Sequence, residues 1–218
     1  MSGENKTLIG FIVVSLVIVV GGIFFFSKPS GQSAPKPVQK ELLVRDDSPK
    51  VSASGEKAVL VEFGDYQCSA CGAYHGLVKD LLESNKASLS FVFRHFPLSQ
   101  HKNARAASYA AEAAGVQGKY WEMHAKLYEN QNSWANLGSP NKVFEDFAKD
   151  LGLDVEKFAG DLEGANISSK VDRDYTDGVT LGVNSTPTFY LNGRQLNNPK
   201  NLSEFQNFVD QALQNTGN

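Results

Sequence analysis

The chain has 218 residues, of which 41% are hydrophobic and 21% charged, and it carries a formal net charge of −3. This mildly acidic balance, without a basic cluster, gives no reason to expect a nucleic-acid-binding surface. The chain has only two cysteines, Cys68 and Cys71, and they lie too close together for the disulfide framework of a small secreted domain. They are therefore a working pair or part of a metal site.

The first segment is an uncharged run of nineteen residues from Leu8 to Phe26. As a helix it would be about 28 Å long, which matches the hydrocarbon core of a bilayer. No A-x-A-like cleavage pattern follows it, so residues 1–28 are predicted to be a short tail and an uncleaved single-pass transmembrane helix. Residues 29–50, which contain Ser, Gly, Lys and Pro and few apolar residues, are predicted to form a flexible linker.

The remaining chain, residues 51–218, is long enough for one well-buried domain. Ala58–Phe63 and Ser88–Phe93 have the composition of strands, and the leucines between them repeat at helical spacing over Cys68–Ser84. A strand, a helix and a second strand in this order predict a β-α-β unit, whose crossover places two parallel strands in one sheet.

The following pattern is helical from about residue 99 to residue 180, and it includes the alanine-rich stretch Ala104–Tyr128. Thr188–Leu191 returns to strand character, and Asn192-Gly193 predicts a hairpin turn. A closing helix is predicted over Leu202–Leu213. The expected fold class is therefore α/β, with an all-helical insertion after the second strand.

The two cysteines lie where the first strand gives way to the first helix. A sulfur in the first helical turn faces unpaired backbone N–H groups and the positive end of the helix dipole, which both stabilise a thiolate. Cys68 would then be the exposed nucleophile, and Cys71, one turn further on, would resolve a mixed disulfide.

Other uses of the pair are weighed against this redox interpretation. Haem attachment would require His directly after Cys71, where the chain has Gly72. A zinc site needs about four ligands, and His75 is the one further ligand with suitable spacing. A metal clip and an inert structural pair therefore stay open beside the redox pair.

Three motifs in this order resemble the DsbA-like branch of the thioredoxin superfamily, particularly its membrane-anchored members: VEFGDYQCSAC, FVFRHFPLSQH and LGVNSTPTFYLNG. The resemblance covers essentially all of residues 51–218. It implies a thioredoxin-like fold with a helical insertion and thiol–disulfide exchange that uses no cofactor beyond the Cys68–Cys71 disulfide. No metal is expected.

The resemblance also implies roles for Pro187, Thr186 and Glu62. Pro187 matches a proline that is cis in this superfamily, and Thr186 would present its backbone and its hydroxyl beside the reactive sulfur. Glu62 lies in an otherwise apolar strand, so its carboxylate is predicted to be buried and to transfer protons. The plainer alternatives are a proline that begins a strand and a glutamate that faces solvent.

The expected function is oxidation, in which the protein donates its disulfide to reduced secreted or envelope proteins and is reoxidised by a membrane partner. The domain is expected on the extracytoplasmic side of the membrane. One departure from the family is the dipeptide Ser69-Ala70, which lacks the His of the strongly oxidising members. A reductase or isomerase of the same fold, and a non-catalytic metal-binding or chaperone module, remain alternatives.

Overall fold

A computed structural model describes residues 40–215 of the chain. The predicted transmembrane segment, residues 8–26, and residues 29–39 of the predicted linker lie outside the described residues. Within residues 40–215, no helix combines the length and the apolar character needed to cross a membrane.

Five short strands form one mixed sheet in the order β1-β3-β2-β4-β5. They are β1 (Lys50–Val51), β2 (Ala58–Gly64), β3 (Leu89–His95), β4 (Thr188–Leu191) and β5 (Arg194–Gln195). The two central strands, β2 and β3, are parallel, and the other neighbours are antiparallel. The predicted β-α-β unit and the predicted hairpin are therefore confirmed, whereas β1 was not predicted.

The helices that surround this sheet vary from one turn to more than four turns. They are α1 (Lys40–Leu43), α2 (Ser69–Ser84), α3 (Ala104–Val116), α4 (Tyr120–Glu129), α5 (Gln131–Trp134), α6 (Asn141–Asp150), α7 (Val155–Leu162), α8 (Ala165–Thr180) and α9 (Leu202–Asn215). Helices α3 to α8 all lie between β3 and β4, which confirms the predicted helical insertion. The chain thus has the predicted α/β fold of the thioredoxin-like type.

The alanine-rich stretch Ala104–Tyr128 lies in two helices, α3 and α4. The chain turns at Gly118, whose φ of 76° lies in the left-handed region that glycine adopts without strain. The N–H of Lys119 then donates to the carbonyl of Ala114 at 2.9 Å and ends α3. Gly118 is one of two glycines in this stretch, so the sequence gives only a weak indication that α3 ends here.

Side chains of the central strands alternate between two buried clusters, because successive residues of a strand point to opposite faces of the sheet. Leu60 of β2 packs in the larger cluster, which includes residues of α2, α3, α4 and α9. Val61 and Phe63 pack in the smaller cluster, together with Leu43 of α1. Glu62 therefore points to the face of Leu60, which is the face that α2 covers.

The folded domain begins earlier than the predicted boundary at residue 51, because α1 lies within the stretch predicted to be linker. Leu43 is buried against the sheet, and the Arg45 guanidinium donates two hydrogen bonds to the Asp177 carboxylate of α8, at 2.5 and 2.7 Å. These partners are far away in sequence, so the local composition of residues 40–50 did not indicate them.

Candidate active site

The cysteine pair lies at the beginning of α2, in the dithiol form. Cys68 is the N-cap of this helix, with an extended backbone at φ −71° and ψ 120°, and Cys71 lies in the first turn. Cys68 is 9% exposed, whereas Cys71 is completely buried. Cys68 is therefore the less buried cysteine of the two, although it is more enclosed than the exposed nucleophile that the sequence predicted.

The pKa of Cys68 is lowered to about 5, well below that of an ordinary thiol. The largest cause is a hydrogen bond from the Cys71 thiol to the Cys68 sulfur. The Thr186 side chain and the backbone N–H groups of Ala70 and Cys71 also favour the thiolate, and together these contributions outweigh the partial burial of Cys68. Cys68 is consequently a thiolate at neutral pH.

Cys71 and Glu62 have the opposite tendency and retain their protons. Burial raises the pKa of Cys71, and its hydrogen bond to Cys68 and the nearby Glu62 carboxylate raise this pKa further. Glu62 is 3% exposed, and its Oε1 atom has no hydrogen-bond partner among the described residues. Burial and the charge of Cys68 raise the pKa of Glu62 to about 8. The predicted burial of Glu62 is confirmed, and its role in proton transfer stays a prediction.

The peptide bond between Thr186 and Pro187 is cis, which confirms the sequence prediction. The carbonyl oxygen of Thr186 lies 3.5 Å from the Cys68 Sγ atom, where it can accept a hydrogen bond from this sulfur when Cys68 is protonated. The Thr186 Oγ1 atom is buried. Residues separated by 118 positions in the chain thus meet at the reactive sulfur. The contribution of Thr186 and Pro187 to the binding of a peptide remains a prediction.

A further acidic residue, Asp65, supports the loop before the cysteines and was not singled out in the sequence. Its buried carboxylate accepts hydrogen bonds from the N–H of Gln67 at 2.7 Å, the N–H of Leu98 at 2.8 Å and the Nδ1 atom of His101 at 2.7 Å. Its carbonyl accepts the N–H of Cys68 at 3.1 Å. An Asp after a strand is also a common turn residue, so its position alone did not suggest this role.

Apart from His101, which pairs with Asp65, the histidines of the domain pack in or against the helical insert. His95 is fully buried and its Nε2 atom lies 2.9 Å from Glu112 Oε1, while the Nδ1 atom of His124 lies 2.9 Å from the Tyr66 hydroxyl. His75, considered above as a third metal ligand, packs its ring against His124. Within residues 40–215, no group of three or more His, Cys, Asp and Glu side chains is arranged to hold a metal ion.

Comparison with known proteins identifies a family and several relatives. A family model described as thioredoxin matches residues 53–211, which is more than two thirds of the chain. The Na⁺/H⁺ antiporter NhaA 1 of Mycolicibacterium vanbaalenii is 32% identical over 200 residues, which cover 88% of this chain and 31% of the antiporter. The antiporter NhaA 1 of Salinispora arenicola is 35% identical over 159 residues. The chain spans about a third or less of the length of these relatives.

Solved structures share the fold over most of this chain. A thioredoxin-like oxidoreductase from Silicibacter pomeroyi is 25% identical with a TM-score of 0.67, covering 80% of this chain and 97% of its own. BdbD from Bacillus subtilis in its oxidised form is 23% identical with a TM-score of 0.68, and the match covers 77% of this chain and 93% of BdbD. Alpha-DsbA1 of Wolbachia pipientis is 19% identical with a TM-score of 0.71, and the match covers 81% of this chain and 96% of alpha-DsbA1. The fold is therefore that of DsbA-like proteins.

Proposed function

The chain belongs to the thioredoxin family, and from this premise we propose that it is a thiol–disulfide oxidoreductase that introduces disulfides into extracytoplasmic proteins. One observation carries the proposal. Cys68, which is 9% exposed and has a pKa of about 5, is hydrogen-bonded to a completely buried Cys71 whose pKa is raised. Two neighbouring thiols with such different acidity suit a reaction in which one sulfur exchanges with substrate and the other closes the disulfide.

The proposed reaction begins with the Cys68–Cys71 disulfide. A substrate thiolate attacks the Cys68 sulfur, so the bond between the two cysteines breaks and a mixed disulfide forms. The Cys71 sulfur leaves and takes a proton from the Glu62 carboxyl group, which is protonated below its pKa of about 8. A second substrate thiolate attacks the substrate sulfur of the mixed disulfide and releases Cys68 as a thiolate. The substrate loses two electrons, and the cysteine pair gains them.

The direction of exchange follows from which form of the pair is stabilised. A thiol whose pKa is well below pH 7 stabilises the reduced protein, and a stabilised reduced form makes the disulfide a stronger oxidant. The groups that lower the pKa of Cys68 are the Cys71 thiol, Thr186 and backbone N–H groups. The pKa of Cys68 is therefore low although no histidine lies between the cysteines, and this supports a disulfide donor over a reductase.

The proposal includes a location and two kinds of partner. We place the domain on the extracytoplasmic side of a membrane, attached by the predicted segment within residues 1–28, because disulfides persist in oxidising compartments. Its substrates would be reduced secreted or envelope proteins, and a redox partner in the membrane would reoxidise the Cys68–Cys71 pair. No cofactor and no metal are needed for this cycle.

The reduction potential of the pair, measured against a glutathione buffer, tests the direction. We expect a value well above that of thioredoxin, about −270 mV, and towards that of DsbA, about −120 mV. A value close to that of thioredoxin would instead indicate a reductase or an isomerase that receives electrons from a membrane donor.

Serine variants test the assignment of the two sulfurs. In cells, Cys71→Ser should accumulate mixed disulfides between Cys68 and its substrates, because the resolving thiol is absent. Cys68→Ser is the matched control and should accumulate none. Equally empty profiles for both variants would remove the catalytic role of the pair.

The curated relatives suggest a second candidate for the substrate. The similarity to the Mycolicibacterium vanbaalenii protein covers 88% of this chain but 31% of a protein named as a Na⁺/H⁺ antiporter. A domain of this kind beside a transporter could exchange disulfides with the transporter itself. Identification of the proteins trapped by Cys71→Ser decides between the two kinds of substrate. A membrane transporter among the trapped proteins would favour the transporter over secreted substrates.

A further inference from the structure

The loop that carries Cys68 is connected to the helical insert through two glutamine side chains, Gln67 and Gln131, which we call the glutamine clamp. Gln131, the first residue of α5, donates from its Nε2 atom to the carbonyls of Tyr66 at 2.7 Å and Cys68 at 2.9 Å. In the opposite direction, the Gln67 Nε2 atom donates to the carbonyl of Ala135 at 2.7 Å. Each side of the contact thus uses one carboxamide to hold the backbone of the other.

The Gln67 carboxamide is also hydrogen-bonded through its oxygen atom. The Gln67 Oε1 atom accepts the N–H of Asn103 at 2.7 Å, and Asn103 in turn donates to the carbonyl of Leu137 at 2.9 Å. Gly72 lies against the other carboxamide, because a Cβ atom at this position would be 3.2 Å from Gln131 Oε1. The clamp is therefore closely packed as well as hydrogen-bonded.

The carbonyl of Cys68 is an informative point of attachment. It accepts the N–H of Gly72 at 3.1 Å, so it also takes part in the first hydrogen bond of α2. The rotation of this peptide determines how the backbone N–H groups of Ala70 and Cys71 are aligned with the Cys68 sulfur. A side chain that holds the carbonyl from the other side limits this rotation.

We propose that Gln131 is a positioning residue for the reactive sulfur. It holds the Cys68 carbonyl, and with Gln67 it keeps the cysteine loop in the orientation in which the first-turn N–H groups face the sulfur. The consequence for disulfide exchange rests on the proposed function, but the effect on the Cys68 thiol does not. Gln131 lies 63 residues from Cys68, and nothing in the sequence indicates this contact.

Two substitutions remove the donor while keeping much of the side-chain volume. Gln131→Met has no hydrogen-bonding amide, and Gln131→Glu offers a carboxylate to two carbonyls that need a donor. The control is Gln117→Met. Gln117 also makes two backbone hydrogen bonds, both with Asp154, at 3.1 and 2.9 Å, but they connect α3 with the residue before α7. It therefore matches the loss of two hydrogen bonds at a place outside the cysteine loop.

The measurement is the rate of Cys68 alkylation by iodoacetamide as a function of pH in the reduced full-length protein. We expect the midpoint of this profile to rise by about half a pH unit to one pH unit in Gln131→Met, which is about a three- to tenfold loss of thiolate below the midpoint. Gln131→Glu should show a rise at least as large, and Gln117→Met should keep the wild-type midpoint. The reduction potential should fall in both Gln131 variants.

The outcomes separate positioning from stability and from the proposed function. Urea unfolding identifies the folded variants, and if one Gln131 variant fails to fold, the other and Gln67→Met carry the test. Folded variants with the midpoint of wild type would overturn the proposal, as would an equal rise in Gln117→Met. A shifted midpoint in a protein whose wild type exchanges no disulfides would support the clamp and reject the oxidoreductase.

Discussion

Glu62, Cys68 and Cys71 show how the surroundings of single residues set their chemistry. The Cys68 sulfur has hydrogen-bond donors around it and carries a charge, while the buried Cys71 and Glu62 keep their protons. A buried, protonated carboxyl group beside Cys71 suits the proposed exchange, since the Cys71 sulfur leaves as a thiolate and must take up a proton. The same buried carboxyl group lowers the stability of the fold at neutral pH.

The effect of Glu62 on stability has a definite sign. Its pKa is raised from 4.5 to about 8, so the folded protein holds a proton that the unfolded chain releases, and stability falls as pH rises between these values. We expect Glu62→Gln to increase the free energy of unfolding by about 1–3 kcal/mol at pH 7 and little at pH 4. Urea unfolding across this pH range measures it.

Glu62→Gln should also slow disulfide exchange, because the leaving Cys71 sulfur loses its nearby proton donor. Glu83→Gln, at an exposed position on α2, is the control and should change neither stability nor rate. Loss of stability at pH 7 in Glu62→Gln, or an unchanged exchange rate, would contradict this account of the carboxyl group.

At the scale of elements, the close approach of α8 to the sheet depends on Gly178. A Cβ atom at this position would lie 2.6 Å from Cδ2 of Phe96 and 3.0 Å from Cδ1 of Phe63. Gly160 of α7 provides a contrast, because a Cβ atom there would meet nothing within 4 Å. The two glycines therefore differ in their packing although both lie in helices.

This difference predicts opposite results for two alanine substitutions. Gly178→Ala should destabilise the domain by about 1–3 kcal/mol, because the packing strain exceeds the helical preference of alanine. Gly160→Ala should stabilise it by about 0.5–1 kcal/mol, since only the backbone preference changes. Thermal unfolding of both variants measures these changes in stability. A Gly178→Ala variant as stable as the wild type would show that α8 can move away from the sheet.

A second contact between elements is the buried Arg94 of β3. Its guanidinium donates to the Asp174 and Asp177 carboxylates of α8 at 2.9 and 2.6 Å. It also donates to the carbonyls of Leu42 and Leu43 of α1 at 2.7 and 2.9 Å. One side chain thus joins the sheet, the last helix of the insert and the first helix of the described domain.

Removal of this guanidinium should leave the buried Asp174 carboxylate without its cation, while Asp177 keeps its ion pair with Arg45. We expect Arg94→Met to lower the free energy of unfolding by about 3–5 kcal/mol in urea. Arg105→Met is the matched control. Arg105 of α3 pairs with Asp172 of α8 at a largely exposed position, so its removal should lower the free energy of unfolding by less than about 1 kcal/mol. Similar losses of unfolding free energy in Arg94→Met and Arg105→Met would show that the burial of the Arg94 ion pairs does not determine their contribution.

At the scale of the whole molecule, the redox state of one pair should change the stability of the domain. The lowered pKa of Cys68 favours the folded reduced protein above pH 5, and this contribution is lost as pH falls through the folded pKa of about 5. We expect the reduced protein to unfold at higher urea concentration than the oxidised protein at pH 7. The difference in urea midpoint between the reduced and the oxidised protein should become smaller near pH 5.

Unfolding curves of the two forms, with the oxidised sample kept free of reductant, provide this measurement. A higher urea midpoint for the oxidised form at pH 7 would contradict the proposed disulfide donor, since its disulfide would then be the stable state. The Cys68→Ser and Cys71→Ser variants serve as controls, because neither can form the internal disulfide.

The sequence by itself was sufficient for the order of elements from β2 to α9 and for the position of the cysteine pair, whereas α1 and β1 were not predicted. The strand before Cys68, the helix after it, the helical insert and the hairpin all follow from local periodicity and turn residues. The cis bond at Pro187 was expected from a family resemblance, and the structure confirms it. The strands, helices and hairpin depend on neighbours a few residues away, which is why local patterns predict them, whereas the cis bond required the family resemblance.

Only the tertiary structure decided how acidic the site is and what supports it. The pKa values of Cys68 and Glu62 depend on burial and on groups brought from elsewhere in the fold, such as Thr186. The contact of Gln131 with the cysteine loop and the folding of α1 on Arg94 likewise join distant segments. The physical reason is that burial and charge act through space, so the chemistry of one residue is set by neighbours that sequence spacing does not reveal.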